Sequence, residues 1–281
     1  MAKVEDFAGK RVTVLGLRRS GLSAALLLKD RGADVFVSEL GDSPQLRQNS
    51  QILAARGIDF EIGRHSQERI ERSDIVVISP GINNDSPAVK WSDASGIPVI
   101  SEIELGFLLC PAKVIAVTGT NGKTTVTTLI GEVISAAGQR VFTCGNIGRP
   151  FCSDVARIKK EDFVALEVSS FQLERTQSFK PYVAVILNIA YDHMDRYGCM
   201  EEYFQAKKKI FANQDNTDFL ILNYDDPLLA NLAGEAKSHV LFFRQEEGLE
   251  GEFRLNPNHF AVLSVAGVLG IPRDTCIEVF K

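Results

Sequence analysis

Short apolar runs alternate with amphipathic segments along the whole chain, and this pattern predicts most of the elements of the fold. In the first hundred residues, apolar runs predict five strands, at 11–16, 33–39, 59–62, 74–79 and 98–101. Helical segments lie between several of them, at about 22–29, 45–56 and 87–95. Strands that alternate with helices indicate a parallel, doubly wound sheet, so we predict a Rossmann-like α/β domain here.

A second series of strands and helices starts near Ala112. Further strands are predicted at 113–119, 140–144, 162–168, 182–188, 218–223 and 239–243, with a helix at 123–137 after the first of them. The proline in "GFLLCPAK" marks a boundary between about 106 and 111. We therefore predict two α/β domains, residues 1–108 and residues 109–281.

Composition agrees with two globular domains and narrows the classes of function. The 281 residues are 45% apolar and 24% charged, and their net charge of −5 argues against a general nucleic-acid binder, which needs a basic stripe. We see no signal peptide and no membrane-spanning run, so we expect a cytoplasmic protein without membrane contact, and we expect a monomer. The five cysteines lack CxxC spacing, which favours reduced thiols over zinc ligands or disulfides.

The turn after the first strand, "GLRRSG", resembles a dinucleotide fingerprint. Gly16 and Gly21 stand at the outer glycine positions of G-x-G-x-x-G. Arg18 occupies the middle position, where glycine permits close approach to a pyrophosphate. A helix N-terminus beside Arg19 and Ser20 still suits a diphosphate. The alternative, a strand-to-helix turn with exposed arginines, stays open on these residues alone.

A second glycine-rich turn, "GTNGKTT" at residues 119–125, follows an apolar strand and opens a helix; we name it the phosphate loop. Its usable motif is the short form Gly119-x-x-Gly122-Lys123-Thr124. Successive backbone N–H groups of such a turn can surround phosphate oxygens, and Lys123 can place its charge beside them. The hydroxyl of Thr124 can bind Mg²⁺. We therefore predict a site for nucleotide phosphates.

An acid that can hold the metal comes at the end of another predicted strand. The apolar run at 163–166 ends in Glu167. A phosphate loop usually works with such an acid, which binds the metal directly or through water. A charge directly after four apolar residues favours a partly buried, metal-facing carboxylate over an exposed strand end.

Polar side chains also follow the predicted strand at 182–188, where the chain reads "LNIAYDHMDRY". They are Asn188, Asp192, His193 and Asp195. Because α/β sheets bind ligands at the carboxyl ends of their strands, His193 is a candidate for function.

The segment "EEYFQAKKKIF" has the periodicity of a helix. Tyr203, Lys207 and Phe211 share one of its faces. On the pattern alone, Lys207 is a lysine whose stem packs along a solvated helix while its charge stays in water.

Four motifs, in their order and spacing, closely resemble the Mur ligase family: "GTNGKTT", "GNIG" at 145–148, "LEVSSFQLE" and "LNIAYDHMDRY". "SPGI" at 79–82 and "SEIEL" at 101–105 support the resemblance, which covers nearly the whole chain. "SSFQLE" and "DHMDRY" look most like the member that adds D-glutamate to UDP-N-acetylmuramoyl-L-alanine in peptidoglycan synthesis. The resemblance implies an ATP-dependent amide ligase with small-molecule substrates and a P-loop ATPase-like second domain.

The resemblance also implies roles for individual residues. The UDP-substrate would meet Arg19, Ser20, Glu39, Gly81, Asn146, Ser169 and Gln172. ATP would be bound by Gly119, Thr120, Asn121, Gly122, Lys123, Thr124, Thr125 and Asn258. Two Mg²⁺ sites would use Thr124, Glu167, His193 and Lys207, and the catalytic residues would be Lys123, His193 and Lys207. Lys207 falls where the family carries a carbamylated lysine, a modification that turns a cation into a carboxylate-like metal ligand.

The implied reaction passes the γ phosphate of ATP to the alanine carboxylate, and the amine of D-glutamate attacks the resulting acyl phosphate. Catalysis would rest on positioning and on electrostatic stabilisation. Arg254 and Leu255 depart from the His-Asn pair of the family's adenine segment, whereas Asn258 matches its second asparagine. The family has a third, C-terminal domain, so we expect an incomplete ligase chain with little or no activity alone.

Other functions stay open on the sequence. One is a UDP-sugar and nucleotide-binding module without catalysis, and another is a different Mur-type ligase. An NAD-linked oxidoreductase is suggested by the first turn together with Glu39, which ends the second strand. A kinase would use the phosphate loop but would not need a second metal set at His193 and Lys207.

Overall fold

The computed structural model of the protein describes residues 6–194, 196–245 and 254–281, so Asp195 of the predicted polar cluster lies outside the described residues. The chain divides into two compact units. The first unit contains residues 6–110, Arg149–Arg157 and Glu174–Ser178. The second contains Pro111–Gly148, Ile158–Leu173 and the described part of 179–281.

The first unit is built on a parallel sheet. Its strands are β1 (Arg11–Leu15), β2 (Asp34–Glu39), β3 (Asp59–Ile62), β4 (Ile75–Ile78) and β5 (Val99–Ser101). Its helices are α1 (Arg19–Asp30), α2 (Pro44–Ala55), α3 (Gln67–Glu71), α4 (Pro87–Ala94) and α5 (Glu102–Leu109). The strand order is β3-β2-β1-β4-β5, and all neighbouring strands are parallel. This arrangement confirms the predicted α/β class.

Helix α1 packs very closely on the turn that follows β1. A Cβ atom on Gly21 would lie 1.9 Å from the carbonyl oxygen of Gly16 and 2.8 Å from Oγ of Ser79. Both distances are too short for a side chain, so only glycine fits at this position. The last glycine of the predicted fingerprint therefore permits helix-to-turn packing, while Arg18, at the middle position, is exposed.

Two glutamates at the start of α5 bind backbone N–H groups within the first unit. Glu104 accepts hydrogen bonds from the N–H groups of Gln177 and Ser178, at 3.0 and 2.6 Å. Oε1 of the buried Glu102 accepts one from the N–H of Cys152, at 2.7 Å. Among the described residues, Oε2 of Glu102 has no hydrogen-bond partner, and burial raises the pKa of this carboxyl to about 7.

Glu102 should make stability depend on pH. Since its pKa is raised from 4.5 to about 7, the folded state binds this proton more tightly than the unfolded state. Its contribution to stability is fully present below the unfolded pKa and is lost as pH rises through the folded pKa. We expect Glu102→Gln to stabilise the protein above about pH 7, by up to about 3 kcal/mol, and to have little effect near about pH 4.

Thermal unfolding across this pH range, followed by circular dichroism, measures the effect. Glutamine retains a carbonyl oxygen for the N–H of Cys152 but cannot ionise. The exposed Glu71→Gln, also in the first unit, is the matched control and should change stability by less than about 0.5 kcal/mol. A difference between wild type and Glu102→Gln that is the same at every pH contradicts the prediction.

The second unit also contains a parallel sheet. Its strands are β6 (Lys113–Thr118), β7 (Val141–Gly145), β8 (Phe163–Glu167), β9 (Val183–Ile186), β10 (Phe219–Asn223) and β11 (His239–Phe243). Its helices are α6 (Lys123–Ala136), α7 (Ser170–Leu173), α8 (Met200–Lys208), α9 (Pro227–Ala230), α10 (Pro257–Leu269) and α11 (Arg273–Phe280). The strand order is β11-β10-β9-β6-β8-β7, with parallel neighbours throughout.

Helices α10 and α11 are the main elements that the pattern did not predict. Phe260 and Val262 of α10 and Phe280 of α11 belong to the same core as Val126 of α6. Helix α10 is apolar around most of its circumference, so it lacks the polar face by which an amphipathic helix is recognised. Its start carries a local signal, because Asn256 forms a capping box with the residue three positions on.

In the described part of the chain, no helix is both long and apolar enough to cross a membrane. All five cysteines lie within the described residues as free thiols, and Cys199 is exposed whereas the other four are buried or partly buried.

Candidate functional site

The phosphate loop lies at the carboxyl edge of the second sheet, where the middle strands end. Strand β6 lies between β8 and β9. The register pairs Val117 with Glu167 and Thr118 with Ile186. The last residue of β8 and the segment after β9 therefore flank the loop. Strand order and register bring these three parts of the chain together.

Glu167 lies between the phosphate loop and the segment after β7. Thr124 Oγ1 donates a hydrogen bond to Glu167 Oε2 at 2.8 Å, and Asn146 Nδ2 donates one to Oε1 at 2.8 Å. The backbone N–H of Asn146 also donates to the carbonyl oxygen of Glu167, at 2.9 Å. Glu167 is buried. The structure thus joins the predicted metal residues Thr124 and Glu167, and it adds Asn146, predicted as a substrate contact, as their neighbour.

Two lysines converge on one carbonyl oxygen of the loop. Lys123 Nζ lies 3.0 Å from the oxygen of Gly119 and 2.9 Å from that of Thr120. Lys207 Nζ lies 2.8 Å from the same oxygen of Gly119. Burial, and then the nearby charge of Lys123, lowers the pKa of Lys207 to about 7. Two neighbouring cationic groups favour an anion at this position.

Lys207 is 2% exposed, so the interpretation of a lysine on a solvated face, which the pattern alone favoured, is wrong. Helix α8 packs this face inward, and the amine lies 4.6 Å from the ring centre of Tyr203. The hydroxyl of Tyr203 lies 3.2 Å from Thr120 Oγ1. Tyr203, for which the sequence predicted no role, therefore links the lysine to the phosphate loop.

His193 lies beside the aromatic rings of Phe171 and Tyr203. Its ring centre is 4.9 Å from that of Phe171 and 6.1 Å from that of Tyr203. Its backbone φ of 57° is left-handed, which is uncommon for a residue other than glycine and is often found at functional sites. His193 and Lys207 are thus both neighbours of Tyr203.

The remaining residues predicted to bind ATP lie on the loop or beside it. Asn258, at the start of α10, has its Oδ1 2.7 Å from the position that a Cβ atom on Gly122 would take. Asn121 is exposed, as is Thr125 in the first turn of α6. Tertiary structure therefore brings Asn258 to a loop that is remote from it in sequence.

In the first unit, the predicted substrate residues belong to segments at the carboxyl edge of the sheet. Arg19 and Ser20 open α1, and the exposed Gly81 follows β4. The carboxylate of Glu39, at the end of β2, accepts hydrogen bonds from the N–H groups of Leu17 and Gly41, each at 2.7 Å. Glu39 therefore supports the turn that leads into α1.

Ser169 and Gln172 belong to the second unit, unlike Arg19, Ser20, Glu39 and Gly81. Gln172 is buried, and its Oε1 accepts hydrogen bonds from the backbone N–H of Ser169, at 2.9 Å, and from its hydroxyl, at 3.1 Å. The Ser169 hydroxyl accepts one from the Gln172 N–H, at 3.4 Å. This reciprocal pairing is that of a capping box, so both side chains stabilise the start of α7, directly after Glu167 and Val168.

The described side chains fit Mg²⁺ better than zinc. Within residues 6–194, 196–245 and 254–281, no group of three or more His, Cys, Asp and Glu side chains could hold a metal ion. The paired groups here are the carboxylate of Glu167 and the hydroxyl of Thr124. Mg²⁺ is commonly held by one or two protein oxygens together with phosphates and water, whereas structural zinc needs four protein ligands.

The fold and the site define a class of protein. It is an α/β protein of two units, and its second unit carries a phosphate loop, an acid at the end of a neighbouring strand and a buried lysine next to the loop. Comparison of the sequence with models of known families identifies the family to which the chain belongs. The model described as Mur ligase middle domain matches residues 117–265, and the one described as Mur ligase MurD-like, N-terminal domain, matches residues 10–101. The chain belongs to the Mur ligase family, which confirms the resemblance of its motifs.

Curated relatives are similar over most of this chain. A UDP-N-acetylmuramoylalanine--D-glutamate ligase from Koribacter versatilis is 44% identical over 249 residues, which are 88% of this chain and 55% of the relative. One from Chlorobium phaeobacteroides is 46% identical over 229 residues, which are 80% of this chain and 49% of the relative. The chain thus spans about half the length of the curated relatives it matches.

Solved structures share the fold. A UDP-N-acetylmuramate:L-alanyl-gamma-D-glutamyl-meso-diaminopimelate ligase from Neisseria meningitides has a TM-score of 0.65 and 20% identity, and the match covers 97% of this chain and 98% of that one. A UDP-N-acetylmuramate-alanine ligase from Thermotoga maritima has a TM-score of 0.58 and 20% identity, with 96% and 68% covered.

Proposed function

We propose that this chain carries the UDP-substrate and ATP sites of a ligase that joins D-glutamate to UDP-N-acetylmuramoyl-L-alanine in peptidoglycan synthesis. The observation that carries the proposal is the convergence of Lys123 and Lys207 on the carbonyl of Gly119, beside the Thr124–Glu167 pair. The names of the similar ligases support the same reaction. Because the chain spans about half of their length, substrate binding and ligation require separate tests.

Lys123 and the free N–H groups at the start of α6 would receive the phosphates of ATP. Thr124 and Glu167 would hold Mg²⁺, and His193 and Lys207 would serve a second Mg²⁺. When bound, Mg²⁺ offsets the negative charge on the phosphate that is transferred. The γ phosphate would pass to the alanine carboxylate, and the amine of D-glutamate would displace phosphate from the acyl phosphate, so the amide replaces the acyl–oxygen bond.

Carbamylation of Lys207 is part of the proposal. A pKa of about 7 leaves a substantial neutral fraction of the amine near neutral pH. The neutral nitrogen can attack the carbon of CO₂ and then lose a proton, which leaves a carbamate anion. This change replaces the repulsion between Lys123 and Lys207 with attraction, and it supplies oxygens that suit Mg²⁺.

In the first unit, the N-terminus of α1 with Arg19 and Ser20 would bind the diphosphate, while Glu39 and Gly81 would line the nucleotide pocket. In the second unit, Asn146, Ser169 and Gln172 would serve the muramoyl-alanine end, and Asn258 would contribute to the ATP site.

Calorimetry with UDP-N-acetylmuramoyl-L-alanine and with ATP–Mg²⁺ tests the two binding sites. Phosphate release that depends on D-glutamate tests ligation, and intact-mass measurement of protein prepared in bicarbonate tests for a CO₂ adduct. Lys207→Arg is the control, since arginine does not form the carbamate. We expect both ligands to bind and the adduct to be absent from the control. Failure to bind either ligand contradicts the proposal, and binding of both without a CO₂ adduct in the wild-type protein favours a non-catalytic module. Because the chain spans about half the length of the similar ligases, we expect little or no phosphate release from it alone.

A further inference from the structure

We propose that Asn188, directly after β9, is a positioning residue that holds the phosphate loop in the conformation that receives phosphates. The inference rests on the proposed ATP site, because it concerns how that site is kept in shape. Asn188 is not among the residues predicted to bind ligands. The inference is supported by the close approach of the two segments, by the hydrogen bonds of Asn188 and by those of its neighbours.

The phosphate loop and the segment after β9 approach each other unusually closely. The N–H of Leu187 donates to the carbonyl oxygen of Thr118, at 3.0 Å, which extends the pairing of β6 and β9 by one residue. Gly119 follows with a φ of 150°, and a Cβ atom there would lie 3.0 Å from Cβ of Leu187 and 3.3 Å from the backbone nitrogen of Asn188. Glycine at this position therefore lets the loop run against Leu187 and Asn188.

The side-chain amide of Asn188 binds both polar backbone groups of one loop residue. Its Oδ1 accepts a hydrogen bond from the N–H of Asn121 at 2.8 Å, and its Nδ2 donates one to the carbonyl oxygen of Asn121 at 3.0 Å. The carbonyl oxygen of Asn188 also accepts from the N–H of Thr120, at 3.0 Å. A primary amide is suited to this pairing because it offers a donor and an acceptor together. The contacts orient the peptide groups on both sides of Asn121.

Residues next to Asn188 make further hydrogen bonds, both to the phosphate loop and to the next strand of the sheet. The hydroxyl of Thr120 accepts a hydrogen bond from the N–H of Ala190, at 2.9 Å. The segment is also bonded to the end of β10 and to the turn that follows it: Nδ2 of Asn223 donates to the carbonyl oxygen of Leu187 at 3.1 Å, and the N–H of Ile189 donates to Oδ2 of Asp226 at 2.9 Å. The segment that contains Asn188 is thus itself held in place by hydrogen bonds on both sides.

This arrangement matters for binding because a phosphate needs several N–H groups that already point at one place. If the peptide groups around Asn121 can rotate, the ligand must order them when it binds, and that ordering lowers its affinity. Asn188 would therefore act through the loop and not by touching the nucleotide.

Asn188→Ala removes both side-chain bonds. Asn188→Asp retains the shape and the acceptor, but an ionised carboxylate cannot donate to the carbonyl of Asn121. In both variants we expect ATP–Mg²⁺ to bind about tenfold more weakly by calorimetry. We also expect the Asn121 amide of the nucleotide-free protein to exchange its hydrogen about tenfold faster in Asn188→Ala, measured by NMR.

Asn223→Ala is the matched control, since it removes an asparagine amide whose hydrogen bonds go to the same segment, at Leu187, and to Asp225 instead of to the phosphate loop. We expect it to change both measurements by less than about twofold. Unchanged exchange and affinity in Asn188→Ala overturn the inference, and so do equal effects from Asn223→Ala, because those would indicate general loosening. If the wild-type protein binds no ATP, the proposed site fails, whereas exchange at Asn121 still decides whether Asn188 holds the loop.

Discussion

Replacing Lys123 with methionine is expected to weaken the binding of ATP–Mg²⁺ about a hundredfold. Its ammonium group is bonded to the carbonyl oxygens of Gly119 and Thr120, at 3.0 and 2.9 Å, so it is held at the loop where the phosphates would lie. A hydrogen bond between charged groups contributes up to about 3 kcal/mol, which corresponds to about a hundredfold in Kd. Methionine has a similar length but no charge, and calorimetry gives the Kd directly.

Lys160→Met is the matched control for this prediction. It removes the same charge from an exposed position in the second unit, and it should change the Kd by less than about twofold. Thermal unfolding of both variants checks that the fold is retained. If Lys123→Met binds ATP as tightly as the wild-type protein, the phosphates do not lie at this loop.

The substitution Gly21→Ala is expected to destabilise the first unit by about 3 kcal/mol or more. The new Cβ atom would lie 1.9 Å from the backbone oxygen of Gly16, and the turn is anchored because the N–H of Gly16 donates to the oxygen of Ser38 at 2.9 Å. A backbone oxygen cannot rotate away as a side chain can, so relief requires α1 or the turn to move. We expect weaker binding of the UDP-substrate as well, because the same turn precedes Arg19 and Ser20.

Urea unfolding measures the loss of stability, and Gly267→Ala is the control. Gly267 lies within α10 with no neighbouring atom within 4 Å of an added Cβ, so the same substitution should stabilise the helix by up to about 1 kcal/mol. A Gly21→Ala protein with wild-type stability contradicts the close packing of α1 on the turn.

The parts of the candidate site differ in how far the sequence predicts them. The phosphate loop could be predicted because it is one contiguous motif between a strand and a helix. Glu167 could be predicted because it ends an apolar run. The burial of Lys207 could not, because periodicity places it on the same face as Tyr203 without showing what that face packs against. Only the resemblance to a family indicated a role for it.

Some predicted substrate residues have structural partners that other signals could have suggested. Ser169 and Gln172 have the S-x-x-Q spacing of a capping box, which is visible in the sequence. The bonds between Asn146 and Glu167 are not visible there, because they depend on the register that pairs Gly145 with Glu167. Contact with the UDP-substrate remains a prediction for all three side chains.

By itself, the sequence determined the α/β class of both units, the phosphate loop and the family, because these depend on local periodicity and on contiguous motifs. Only the tertiary structure decided that Lys123 and Lys207 meet at Gly119, that Glu167 lies between Thr124 and Asn146, and that Asn188 supports the loop. Those contacts join segments that are distant along the chain. They follow from the order and register of parallel strands, which no local pattern specifies.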